Sequence, residues 1–196
     1  MKSKALKKDF YLRPVLEVAR ELIGKTLVTN HGRITMRARI VETEAYHESE
    51  TACHAAVGKT RRNEVMFLEG GHLYVYLSYG LHFCLNVVCE KAETGAAVLI
   101  RALEPLEGIE AMRKNRGHSR TKQIKDTNIA SGPGKCGQAL QLNLYHNGIS
   151  LLQPPVYIEN DGVKLPITAT TRVGITKAAA LPWRFYHSSS SFISRK

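Results

Sequence analysis

No stretch of the chain holds the roughly 18 consecutive apolar residues that a membrane-crossing helix needs. The basic start, Met1 to Phe10, is not followed by the apolar core of a secretory signal. A cytoplasmic protein with no membrane association is therefore expected. The four cysteines, Cys53, Cys84, Cys89 and Cys136, form no Cys-x-x-Cys pair and no regular framework. Buried, reduced thiols are the expected state. Eight histidines include no His-Glu-x-x-His, and no Walker loop or Gly-x-Gly-x-x-Gly stretch occurs, so neither a metal nor a cofactor is expected. Acidic residues are scarce. The 17 Asp and Glu face 28 Lys and Arg, leaving a net charge of +11. Such a surface attracts polyanions, and nucleic acid is the leading one.

What is present is an ordinary globular composition. Of 196 residues, 43% are apolar and 23% charged. A chain of this size buries roughly two-thirds of its unfolded surface without staples. Pro14 to Ile23 carries a helical stripe closed by Gly24. Thr26–Val28 and Thr35–Tyr46 read as strands around a turn at Asn30–Gly32, and residues 47–64 read as a long polar loop of the functional or mobile kind. Leu73–Tyr79 and Leu81–Cys89 form a hairpin with an aromatic tip, followed by a buried strand Ala96–Leu103. Glu104-Pro105 then reads as the start of a helix ending near Gly117, and Ser131–Lys135 as the start of another reaching about Leu142. Arg113–Lys125 holds six Lys and Arg and no acid. Short strands are expected near Val156–Ile158 and Thr168–Gly174, before the Ser188–Ser191 run. The expected fold is mixed α/β (α+β): one domain over residues 1–196, with residues 1–9 a basic, flexible start. It has a curved, largely antiparallel sheet, a protruding β-hairpin and surrounding helices.

The chemistry concentrates in two places. Strand alternation puts Glu42, Glu44 and Tyr46 on one face, away from Val41, Thr43 and Ala45. Arg101 interrupts an otherwise apolar run, where an unpaired guanidinium is costly, so Glu42 or Glu44 is its economical partner. A carboxylate in such a pair that also meets water is a candidate general base. The aromatics supply the other half. Tyr46, Tyr76 and His54 are suited to a stacking cage for one base, and Tyr79 at the hairpin tip to wedging a base stack apart.

Several strings recur together in order: Ile40-Val-Glu-Thr-Glu-Ala-Tyr46, Arg62-Asn-Glu-Val-Met-Phe67, Leu73-Tyr-Val-Tyr76 with Tyr79-Gly80 and Asn86, Arg101-Ala-Leu-Glu-Pro-Leu-Glu-Gly108, Ser131-Gly-Pro133, Arg172-Val-Gly174 and Pro182-Trp-Arg-Phe-Tyr186. Together they resemble the bacterial form of the alkyladenine (3-methyladenine) DNA glycosylase family, over roughly Phe10 to Arg195. The resemblance implies a monofunctional enzyme that flips alkylated purines from double-stranded DNA, acting as a monomer. Glu44 would activate water, Arg101 would hold that water and the deoxyribose region, and the Val173 carbonyl would complete the water site. Tyr46 would stack on one side of the flipped base, with His54 and Tyr76 opposite, and Asn86 would gate against unmodified guanine. Tyr79 would fill the gap in the duplex, and Arg62 and Lys135 are candidates for contact with the DNA backbone. Glu42 is the rival carboxylate; the resemblance and the neighbouring Tyr46 favour Glu44. Where the family carries Gly and Asp ahead of His54, this chain has Glu50 near the Asp position. Two other readings fit the charge: a non-catalytic damage- or structure-specific nucleic-acid-binding module, and an RNA-directed hydrolase or binder. A pure binder has no use for a base beside a cage.

Overall fold

A computed structural model describes residues 5–117, 121 and 123–195. The chain builds β1 (Thr26–His31), β2 (Ile34–His47), β3 (Leu73–Ser78), β4 (His82–Val88), β5 (Ala96–Glu107), β6 (Val156–Glu159), β7 (Ile167–Thr170) and β8 (Arg184–His187). Among the described residues four short α-helices accompany them: α1 (Lys8–Tyr11), α2 (Val15–Glu21), α3 (Ile109–Asn115) and α4 (Pro133–Ala139). Along the sheet the order is β3-β4-β5-β2-β1-β6, with β8 pairing to both β2 and β7, and every pairing is antiparallel. The α+β, single-domain expectation holds. Residues 1–4 of the basic start lie outside the described residues; the rest of it is held in place rather than flexible, with Ala5 bridging to Glu159, Leu6 buried, and Lys8 and Asp9 in α1.

β2 and β5 are the long central pair, and their register shifts between Arg37 and Ala38 and twice around Glu42. Opposite Glu42 the partner jumps from Ala102 to Ile100, so Arg101 stands at the irregularity. Bulges of this kind bend a strand and re-aim its side chains, which curves the sheet at the one place where β5 carries a charge. The Thr43–Ala45 face turns to the core: Thr43 Oγ1 donates to the Ala19 carbonyl of α2 at 2.8 Å, and Ala45 belongs to the main apolar cluster.

The helix expected to open at Glu104-Pro105 is instead the end of β5, with Ala38 paired to Pro105. Proline lacks a ladder donor, and the register shift beside it is where a strand tolerates that loss. The helix begins after Gly108, whose φ of 71° makes the left-handed corner. β7 stops at Thr170, leaving 171–174 as loop, and β8 carries the Arg184–His187 segment that sequence periodicity left unassigned. Part of the basic Arg113–Lys125 run, His118–Arg120 with Lys122, lies outside the described residues.

The hairpin turns through Tyr79 (φ 50°) and Gly80 (φ 70°), with the Leu81 N–H donating to the Ser78 carbonyl at 3.1 Å. Positive φ at both central residues gives the primed turn that matches strand twist. α4 braces this hairpin from beneath. A Cβ at Gly137 would run into the Phe83 carbonyl, and one at Gly134 into the His82 side chain. Gly137→Ala is accordingly expected to lower stability by about 2 kcal/mol through overpacking, measured by urea unfolding with native-state binding recorded in parallel.

Candidate active site

β2 delivers three polar side chains in sequence to the concave side of the sheet. Glu42 and Glu44 are both 0% exposed, so neither belongs to a solvated face. Arg101 reaches across from β5: its Nε donates to Glu42 Oε1 at 3.1 Å and its Nη1 to Glu44 Oε2 at 3.2 Å. Both candidate carboxylates are therefore partners of the same guanidinium. Burial opposes its charge, but Glu44 and Glu42 outweigh burial and hold its pKa above the ordinary arginine value.

The remaining partners separate the two acids. Glu42 accepts from Arg184 Nε at 2.8 Å, from Ser194 Oγ at 2.8 Å and from the Ser194 N–H. Three donors crowd its Oε1 and the Ser194 N–H reaches its Oε2, and of these four contacts only the Arg101 one comes from a residue that lines the cavity described below. Glu44 accepts from the Val173 N–H at 2.7 Å on one oxygen, and from the Tyr46 hydroxyl at 2.8 Å and Arg101 on the other. The resemblance implied a role for the Val173 carbonyl; the structure adds one for its N–H. A carboxylate has about four acceptor sites, so three donors leave Glu44 room for one more.

Above this pair lies a cavity of about 490 Å³ lined by Tyr46, His54, Arg62, Tyr74, Tyr76, Tyr79, Asn86, Arg101 and Val173, among others. That volume falls within the roughly 300–1,000 Å³ range of small-molecule sites. Nine of the sequence-derived site residues converge here, Glu44 through its hydrogen bonds to the lining. Lys135 does not join them; it bonds Ser131 Oγ at 3.3 Å and borders a separate polar cavity with Arg116 and Asn128.

The expected loop 47–64 is built rather than slack. Asn63 accepts from the Thr60 N–H at 2.6 Å and donates to the His54 and Gly58 carbonyls at 2.8 and 2.9 Å. This fixes His54, whose ring meets Tyr76 edge-on at 4.6 Å and whose Nδ1 lies 3.2 Å from the Tyr74 hydroxyl. Burial, helped by Arg62, lowers the His54 pKa, which favours the neutral ring at physiological pH. Burial also raises Tyr76, and Tyr74 to about 12, so these rings stay uncharged. Burial and then the Glu44 charge do the same for Tyr46, keeping its hydroxyl a donor. Asn86, 4% exposed, donates to the Tyr74 carbonyl at 3.1 Å, which locks its orientation at the cavity wall. Tyr79 is the opposite case, 90% exposed on the hairpin tip beside Leu81 at 77%.

Sequence reasoning passed over four contributors. Tyr74, named only within the Leu73–Tyr76 string, lines the cavity and bonds His54. Arg184 and Ser194 clamp Glu42, and Arg172 packs beneath Tyr46. The Arg172-Val-Gly174 and Pro182–Tyr186 strings were the available signals. Among the described residues no three His, Cys, Asp or Glu side chains gather as metal donors, and the four cysteines are buried and free. No described helix is long and apolar enough to cross a membrane.

The site is thus a buried carboxylate–guanidinium pair beside an aromatic cavity, on a strongly basic α+β domain. The chain belongs to the methylpurine-DNA glycosylase family, whose model matches residues 9–191. It is 47% identical over 192 residues to a protein of Rhodopseudomonas palustris strain BisB18, covering 97% of this chain and 90% of the relative. It is 46% identical over 195 residues to one of Chlorobium phaeobacteroides strain BS1, covering 97% and 96%. It is 48% identical over 198 residues to one of Methanocella arvoryzae, covering 97% and 96%. All three relatives are named provisionally as 3-methyladenine DNA glycosylases.

Removing one donor from buried Glu42 tests the clamp. Arg184→Ala is expected to cost about 3 kcal/mol, the scale of breaking a buried ion pair, read from urea midpoints at constant m-value.

Proposed function

We propose that this chain is a monofunctional base-excision glycosylase. It takes an alkylated purine from duplex DNA into the aromatic cavity and hydrolyses its N-glycosidic bond with a water activated by Glu44, leaving an abasic site. The observation that carries this reading is the position of the Glu44 carboxylate: fully buried and hydrogen-bonded to Tyr46, Arg101 and Val173, three residues that line the cavity.

The chemistry follows from the substrate's charge. Alkylation at N3 or N7 leaves a cationic purine, so the C1′–N bond breaks with its electron pair passing to the base, which departs neutral. Little general-acid help is needed. The sugar becomes oxocarbenium-like, and the nearby Glu44 carboxylate stabilises that positive charge electrostatically. Water attacks C1′ and gives its proton to Glu44. Arg101 orients the carboxylate and faces the deoxyribose region, while the Val173 carbonyl is assigned to the water.

Selection rests on the rings. Tyr46 stacks on one side of the extruded base, and His54 and Tyr76 on the other. Electron-rich faces favour a cationic base by cation–π attraction. The neutral state favoured for His54 avoids placing a second positive charge against it. Asn86 disfavours the exocyclic amine of guanine. Exposed Tyr79, on a turn stiffened by its own backbone and by α4, fills the space the nucleotide vacates. Damaged pairs cost less to unstack, which adds to the selection. Arg62 at the cavity rim and Lys135 beyond it are assigned to phosphates.

Glu44→Gln is expected to retain affinity for a duplex with an abasic analogue while slowing release of methylated purines about a thousandfold, the range of general-base catalysis. Single-turnover assays on methylated DNA read this, and near-normal release would refute the assignment. Binding is further expected to weaken about a hundredfold between roughly 50 and 200 mM salt as phosphate counterions are released. Fluorescence anisotropy measures it, and a flat response would rule against a nucleic-acid substrate.

A further inference from the structure

Behind Tyr46 sits a charge that the reaction does not use. The Arg172 guanidinium lies 4.6 Å from the Tyr46 ring centroid and 5.4 Å from that of Trp183. Its side chain is 0% exposed, and it contributes nothing to the cavity lining, so it packs on the far side of the ring. Left alone, a cation there would draw on the same π electrons that a cationic base needs from the front. It would also repel that base through a thin, low-dielectric wall. The chain supplies a counter-charge: Glu50 accepts from Nη1 at 2.7 Å and from Nη2 at 3.0 Å, in the fork geometry of a bidentate pair. The Ala45 and Ala178 carbonyls fix the guanidinium at 3.0 and 3.3 Å. Glu50 is itself 7% exposed, so solvent does little to screen the pair.

We propose that the Glu50–Arg172 ion pair is a specificity device: by neutralising the cation behind Tyr46, Glu50 sets the preference of the cavity for cationic over neutral purines. This rests on the cavity being the base site. Arg172 on its own supplies rigidity, holding the Ala45 carbonyl next to Tyr46 and carrying Val173 to Glu44. Glu50 decides the sign of the field the base meets. The two are positioning residues, since neither touches the substrate.

The test separates charge from architecture. Duplexes carrying 7-methylguanine (cationic) or hypoxanthine (neutral) are bound to the Glu44→Gln protein, so that affinity is read without turnover. Adding Glu50→Gln, which keeps the shape but not the charge, is expected to weaken the 7-methylguanine duplex at least about fivefold relative to the hypoxanthine duplex. Adding Arg172→Gln, which leaves Glu50 anionic behind the ring, is expected to move that ratio the other way. Adding both, a neutral amide pair, is expected to return the ratio to within about twofold of the starting protein. Equal losses on the two duplexes, or shifts of the same sign in both single substitutions, would overturn the proposal and leave the pair a structural tie. If the Glu44→Gln protein prefers neither lesion duplex over an undamaged one, the base-site reading itself fails, and that outcome is visible before Glu50 is touched.

Discussion

A guanidinium buried among β-strands has to be matched in place, because neither water nor main chain at mid-sheet can replace its hydration. Arg101 meets that demand by taking two carboxylates, Glu42 and Glu44, from one neighbouring strand. Three charges alone would leave a net negative cluster in the interior. Arg184, from β8, brings the count to two and two. The layout of the sheet follows from this grouping: β2 must be flanked by β5 on one side and β8 on the other, so that both arginines reach the same face. The bulge at Arg101 lets its side chain join Glu42 and Glu44 while its neighbours Ile100 and Ala102 remain in the ladder.

Within that cluster the two acids have been given different work by their neighbours. Glu42 is surrounded by charge and by both donors of Ser194, and it serves as an anchor. Glu44 borders the cavity through all three of its partners, Tyr46, Arg101 and Val173. The difference lies in what the chain brings from far away, not in the strand they share.

That distinction marks the limit of what could be read from the residues. The odd charge in the Ala96–Leu103 run and the alternation of Glu42, Glu44 and Tyr46 were visible because they are local and violate an apolar pattern. The hairpin and its tip were visible for the same reason. Arg184 and Ser194 reach Glu42 across 142 and 152 residues, and nothing in a window of sequence encodes such a closure. Glu50 stood out only as a longer acid near a place where an aspartate was anticipated; its partner lies 122 residues on. Local rules also misled where two of them agreed. Glu-Pro ahead of an apolar stripe is a sound helix start, but at Pro105 the bulged end of a long strand accepts the missing donor equally well, and tertiary pairing with Ala38 decides the matter.

The same contrast separates the rigid and exposed halves of the molecule. The cavity wall is fixed twice over: Tyr46 through its hydroxyl and its packing on Arg172, and His54 through Tyr74 and the carbonyl bond from Asn63. The hairpin tip presents Tyr79 and Leu81 to solvent with no apolar cover, an arrangement that a free protein does not favour and that a base stack would relieve. If the tip enters a base stack as proposed, a turn already set by positive φ at Tyr79 and Gly80, on a strand whose His82 and Phe83 lie against Gly134 and Gly137 of α4, would present Tyr79 with less to order than a flexible loop would. On this view the glycines of α4 and the buried charges of β2 answer the same requirement. The first supports the strand that carries the exposed aromatic and the second fixes the carboxylate beside the cavity, and the sheet that joins them sets the distance between the two.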